Sequence, residues 1–534
     1  MSIQARTIDA APGKEPSAPA AGANRGAAGT AAGDSSKWLI LAIICVGYLM
    51  IILDLTVMNL ALPSAQHALG FTNADRQWIV TAYALSFGSL LLFGGGLADL
   101  LGRKATFLAG LSGFAVASAV GGASDSFTML VTARACQGVF AALLAPSTLA
   151  LLATTFTDPK ERNTAYGVYG AVAAGGAGLG LLIGGALTSY ASWRWCLYVN
   201  LVFAAFAITG GALLLGSQRK TPGARLDVPG VAAVSGGMFC LVYGFSNAAT
   251  HSWLTPSTWA FLATAVALLI GFAVWQTRAA QPLLPPRVVL DRNRGAAYLT
   301  RLFAGAATFG IFLFLIYYMQ LTLGYSPIIS GVALLPMTVA IAVTANMGRK
   351  LMPRLGPRPL ITAGLLLGAV AMVWLTRIGV HSGYASSLLG PTMMTGMGMG
   401  LMYPAAANTG TFGVAPRDVG VASASINTGQ QLGGSIGVAL LSTIAASASA
   451  SYLASHLHGR ATPQLVQLAT VHGYTTVFWW CAGIFAAGAI ICGALLRRSP
   501  LTLPSDMPAR ELVDAKASDP SVLVIDEGRT TRRR

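Results

Sequence analysis

The stretch "WLILAIICVGYLMIILDLTVMNLAL" (residues 38–62) sets the fold class. Its 25 residues form an apolar run long enough to cross a bilayer as a helix. One carboxylate, Asp54, sits inside it, and Thr56 and Asn59 follow within about a turn and a half. An ionised acid at that depth is penalised by several kcal/mol, so its retention needs a reason.

The composition agrees with a membrane protein. Of 534 residues, 54% are hydrophobic and 10% charged, against roughly 25% charged in soluble domains. Mean hydropathy is +0.64. The net charge of +16 does not mark a nucleic-acid binder, because Lys and Arg fall between apolar segments and no basic stripe alternates with stacking aromatics. Six cysteines lie in apolar segments without CxxC spacing, which argues against a disulfide framework or a zinc site. No GxxxxGK[ST] or HExxH occurs, and the GxSxG match at 433–437 lies within the thirteenth apolar segment rather than at a membrane surface, so no nucleotide, metal, cofactor or enzymatic chemistry is expected.

Fourteen segments have spanning length, near 38–62, 77–98, 105–124, 127–150, 165–190, 195–216, 228–248, 257–276, 296–322, 328–351, 359–378, 383–408, 420–446 and 473–496. Placing the N-terminus in the cytoplasm puts 29 of the 34 Lys and Arg residues in inner loops and tails. Arg76, Arg194, Arg377 and Arg460 fall outside, and Arg134 lies within the fourth span. The asymmetry predicts cytoplasmic N- and C-termini. Residues 1–36 and 497–534 are expected to be disordered tails.

An internal duplication is visible. "LLGRK" (100–104) follows the second span and "RLGPR" (354–358) the tenth, with Gly102 and Gly356 offset by 254. "ERNTAYG" (161–167) and "PRDVGVASA" (416–424) open the fifth and thirteenth spans, with Arg162 and Arg417 offset by 255. Two matches at nearly one offset predict six-helix bundles at 37–218 and 296–496, with two additional helices and linkers at 219–295.

Among the acids only Asp54 lies well inside a span, and Arg134 is expected to be the only comparably deep cation. Counting along the helices puts both about 6 Å outside the midplane. Burial favours a neutral acid and a guanidinium favours a carboxylate, so access to water and distance to Arg134 would decide whether Asp54 holds a proton. That is the requirement of a proton-coupled transporter. The alternative is a static pair that pins two helices together.

The motifs resemble, in order and spacing, the fourteen-span drug:proton antiporters of the major facilitator superfamily. "LDLTVMNLALP" (53–63) is similar to the first-helix motif and "GGLADLLGRK" (95–104) to the loop after the second helix. "LVTARACQGVFAA" (130–142) is similar to the fourth-helix motif. "GAGLGLLIGGAL" (176–187) with "SWRWCLYVN" (192–200) is similar to the fifth-helix antiporter motif, and "GVASASINTGQQLGGSIGVALLSTI" (420–444) to a late helix of the branch. Leu181 replaces a usual Pro, which should leave the fifth helix straighter. Leu100 replaces a usual Arg in the loop motif, and Pro353 stands opposite Asp99 in its second copy.

The resemblance implies proton coupling at Asp54 with Arg134. It implies gating by Asp99, Gly102 and Arg103, which would latch the two halves on the cytoplasmic side. It also implies a rigid interface between the halves built on Gly176, Gly180, Gly184 and Gly185. Polar, aromatic and thioether groups at membrane depth nominate Asn59, Tyr317, Gln320, Met397, Asn427 and Gln430 for a substrate cavity. The expected activity is export of small hydrophobic, drug-like compounds across a bacterial plasma membrane in exchange for protons. An endogenous metabolite as cargo, a proton symporter for uptake, and a membrane sensor or scaffold are the alternatives.

Overall fold

A computed structural model describes residues 34–497, except residues 157, 217–226, 252, 254, 280–281, 415–418 and 458–461. Both expected tails fall almost wholly outside the described residues.

The described chain is all-helical. The first half holds α1 (Asp34–Leu69), α2 (Asn73–Leu101), α3 (Arg103–Gly122), α4 (Phe127–Thr155), α5 (Pro159–Tyr190) and α6 (Trp195–Leu214). Then come α7 (Val228–His251), α8 (Pro256–Arg278) and the short α9 (Pro286–Val289). The second half holds α10 (Arg292–Tyr317), α11 (Pro327–Leu355), α12 (Pro357–Leu375), α13 (Leu389–Thr411), α14 (Val419–His456) and α15 (Pro463–Leu495). Two π-helical stretches occur: Tyr318–Thr322 extends α10 and Tyr384–Leu388 leads into α13. Twelve of these helices are long and apolar enough to cross a membrane; α2 and α13 are not among those twelve.

Local sequence sets the helix ends. Thr72 and Asp75 form a reciprocal capping box at the start of α2. Side chains of Ser126, Asp291, Ser326 and Thr462 cap α4, α10, α11 and α15. The duplicated loops show why both keep a glycine. Gly102 joins α2 to α3 at φ 96° and Gly356 joins α11 to α12 at φ 73°. Each is a one-residue corner in the region where a Cβ would be strained.

The packing repeats. Within the first half α2 lies along α4, α3 along α4 and α6, and α1 along α5 and α6. Substituting α10–α15 for α1–α6 in order reproduces the pairs of the second half. The contacts between halves, α2 with α14 and α5 with α11, exchange under the same substitution, as a pseudo-two-fold axis requires.

Van der Waals contact rather than water exclusion drives helix association in lipid, so small residues line the contacts. A Cβ on Gly138 would lie 2.4 Å from the Tyr83 carbonyl oxygen, and one on Gly437 2.3 Å from that of Ala306. The α7–α8 hairpin is closed by Asp227, whose carboxylate accepts from Trp275 Nε1 (2.7 Å), Gln276 Nε2 (2.8 Å) and the Gly230 amide (2.9 Å). Ser235 Oγ donates to the Ser89 carbonyl at 3.2 Å, which ties α7 to α2.

Candidate functional site

Asp54 and Arg134, singled out in the sequence, are in direct contact. Arg134 Nη1 donates to Asp54 Oδ2 at 2.5 Å, and the two side chains are 2% and 1% exposed. The other carboxylate oxygen, Oδ1, accepts from Gln137 Nε2 at 3.1 Å and from Asn200 Nδ2 at 3.0 Å. Gln137 also accepts from Arg134 Nη1 (2.8 Å) and donates to Ser118 Oγ (2.7 Å). Arg134 Nε donates to the Ile79 carbonyl at 3.4 Å, and its guanidinium lies 4.4 Å from the centre of the Tyr83 ring. Five helices thus converge on one acid: α1, α2, α3, α4 and α6.

The pair therefore sits inside the first bundle, not facing an open cavity between the bundles. Desolvating two charges is costly, and the added hydrogen bonds are what make such a pair tolerable. Gln137, Asn200, Ser118 and Tyr83 escaped the sequence reading. The signal was available for two of them: Gln137 lies one turn beyond Arg134 in the fourth-helix motif, and Asn200 ends the "SWRWCLYVN" segment.

The glycine stripe divides between two partners. A Cβ on Gly176, Gly180 or Gly184 would strike Leu49, Thr56 or Val57, all on α1 of the same bundle. The contact between bundles is made further round the helix. There a Cβ on Gly185 would lie 2.7 Å from the Ile328 Cα, and Leu181 packs its carbonyl against Gly331 of α11. Residues four apart share one helix face, so the stripe serves a single neighbour. The expectation that all four glycines form the interface between halves is corrected to Gly185. α5 itself runs unbroken past Leu181.

At the end of the molecule where α1 and α5 finish, the halves are pinned together. Ser189 Oγ accepts from the Ile328 amide at 3.1 Å, and Gln320 Nε2 donates to the Leu60 carbonyl at 3.2 Å. Arg76 lies inside α2 rather than in a loop, donates to Gln66 Oε1 at 3.0 Å and stacks 3.3 Å from the centre of the Tyr317 ring. Tyr317, 2% exposed, and Gln320 therefore act as closing contacts in this conformation.

A cation–π contact of this kind is worth about 0.5–2 kcal/mol. Arg76→Ala should therefore shift the population toward the state open at this end by about two- to thirtyfold. In a cysteine-free background, Leu60→Cys should react correspondingly faster with an impermeant thiol reagent. An unchanged rate would dismiss the clamp.

The other nominated residues are scattered. Asn59 Nδ2 bonds its own helix, to the Leu55 carbonyl at 3.0 Å. Asn427 and Gln430 are half-buried on α14, and Met397 is 39% exposed on α13. Arg103 donates to the Ala150 carbonyl at 3.2 Å, tying α3 to α4 beside Gly102. The Asp99 side chain lies outside the described residues, so the latch is untouched. Among the described residues no cluster of His, Cys, Asp or Glu suits a metal ion.

A further deep cation was not anticipated. Arg301, assigned to the inner loops and tails by the charge count, lies nine residues inside α10. Its guanidinium is 4.5 Å from the centre of the Tyr403 ring.

Comparison with known proteins places this architecture. A family model described as Major Facilitator Superfamily matches residues 44–438. The chain is 44% identical over 466 residues to the puromycin resistance protein of Streptomyces alboniger, covering 87% of this chain and 92% of that one. It is 37% identical over 429 residues to a cephamycin export protein of Amycolatopsis lactamdurans, covering 79% and 88%. Among solved structures, a bacterial homologue of the human lysosomal transporter Spinster, in an inward-facing occupied conformation, superposes with a TM-score of 0.60. That match covers 87% of this chain and 98% of the other at 14% identity.

Proposed function

The chain belongs to the Major Facilitator Superfamily, and on that premise we propose that it exports antibiotic-like, hydrophobic small molecules by exchanging them for protons. It is a multi-pass membrane transporter, not an enzyme. Export is supported by two relatives over most of their length, one named for resistance and one for export.

Proton coupling is carried by one observation: a fully buried carboxylate held by an Arg, a Gln and an Asn inside an apolar bundle. A purely structural tie between helices would be as well served by apolar residues of similar volume. An acid whose donors come from α4 and α6, themselves braced by α2 and α3, is sensitive to small movements of any of them. Drawing Arg134 away favours the protonated form, and restoring contact favours release.

In the cycle we propose, Asp54 takes a proton while the protein is open outward. Closure of the outer end follows through Arg76 on Tyr317, Gln320 on Leu60 and Gly185 on Ile328. Re-formed contact with Arg134 expels the proton inward as substrate loads. The arrangement described, pinned at the end where α1 finishes, is the outward-closed member of that cycle. It sits in the plasma membrane with both termini cytoplasmic, a reading supported by the distribution of Lys and Arg. Fourteen spans follow if α2 and α13 also cross. The one-residue corner at Gly102 and the duplicated pairing of helices support that count, with bundles at 37–218 and 296–496.

In everted vesicles energised to an acid interior, addition of a transported drug should discharge the pH gradient. No discharge by any compound to which the protein confers resistance would remove the antiport reading.

A further inference from the structure

We propose that Arg301 is an anion-recognising site of the transport path, and that the substrates held best are amphipathic organic anions: an aromatic or apolar body bearing a carboxylate. The inference rests on the export reading and adds the chemical class of cargo.

Arg301 is unlike the other deep cation. Arg134 has its own carboxylate, whereas no acid pairs with Arg301 among the described residues. It donates no hydrogen bond there, and its buried Nε has no partner. Arg301 lies five residues beyond the start of the apolar segment at 296, about 7 Å into the apolar layer. A charge at that depth is costly, and such groups are found lining substrate and ion paths.

Its surroundings fit that role. The guanidinium is stacked on Tyr403 of α13, and its Cβ packs close to Gly429 of α14. Tyr48 of α1, from the opposite bundle, is within electrostatic reach. Tyr48 is itself stacked on Tyr169 of α5, with ring centres 4.1 Å apart and planes 13° from parallel. Arg301 therefore lies on the ring of Tyr403, and its own helix, α10, packs against α1 of the other bundle. Unused N–H groups in a planar fork match a carboxylate in bidentate fashion, and the rings accept an apolar body.

Tyr48 lies six residues before Asp54 on α1, about 9 Å nearer the start of that helix. The anion site and the proton site are thus separate, and coupling between them is conformational rather than direct competition. Exporting an anion against an entering proton moves two charges through the membrane potential, so the potential assists both movements.

The test uses the purified full-length chain in detergent, with N-dansyl-leucine and its methyl ester as a matched fluorescent pair. Wild type should bind the carboxylate at least tenfold more tightly than the ester. Arg301→Gln should erase that preference and leave ester affinity within about twofold, while Arg301→Lys should keep part of it. Equal binding of both compounds by wild type, or an equal loss of both in Arg301→Gln, would overturn the proposal and leave Arg301 a helix tie to Tyr403. Export is judged separately in vesicles. A protein that discriminates the pair but moves neither compound would sink the export reading while the anion site stands.

Discussion

Asp54→Asn protein should lose concentrative export completely while still moving substrate downhill. A proton entering through about 100 mV supplies roughly 2.3 kcal/mol, which sustains about a 40-fold gradient of a neutral substrate at one proton per cycle. Asn has nearly the shape of Asp and keeps one acceptor, but it cannot carry an exchangeable proton on a carboxylate. With coupling gone, the steady-state ratio in energised everted vesicles should fall from about 40 to about 1. Counterflow exchange, which needs no proton, should persist. Substrate binding and the melting temperature serve as controls for folding. Uphill export by the Asn protein would refute Asp54 as the proton carrier, whatever the fold.

The second large effect concerns stability. Arg134→Leu removes the one cation that faces Asp54 among the described residues and strands a carboxylate held there by Gln137 and Asn200. Breaking a buried pair by deleting one partner costs about 3–5 kcal/mol. The double variant Asp54→Asn with Arg134→Leu should recover most of that loss, because no charge is then left uncompensated. Denaturant titration in mixed micelles reads both. A single variant as stable as wild type, or a double variant no better than the single, would show that Asp54 and Arg134 are not energetically coupled.

The two predictions address the alternatives left open by the residues themselves. A static pair predicts the stability effect without the transport effect. A working proton site predicts both, since the contact that stabilises one conformation must be released in the other.

Twelve of the fourteen expected spanning segments correspond to helices apolar enough to cross, readable in advance because hydropathy is summed along one helix and needs no knowledge of neighbours. The run 38–62 lies within α1, and the seventh and eighth segments correspond to α7 and α8 within a few residues. The pair Asp54–Arg134 was readable for a related reason: both charges are anomalies against an apolar background, and equal depth follows from counting. The duplicated glycine corners were legible because a backbone at positive φ restricts the residue type locally.

What stayed hidden depends on which faces meet. The sequence by itself determined an all-helical membrane chain, its doubled organisation and the acid on which coupling would depend, because each is a property of composition, periodicity or local backbone. Only the tertiary structure decided that Gly176, Gly180 and Gly184 serve α1 while Gly185 serves α11. It alone placed Asp54 among donors from α4 and α6, set Arg76 over Tyr317, and left Arg301 stacked on Tyr403 with no acid partner among the described residues. Close packing is a relation between side chains hundreds of residues apart, and no window along a single helix contains it.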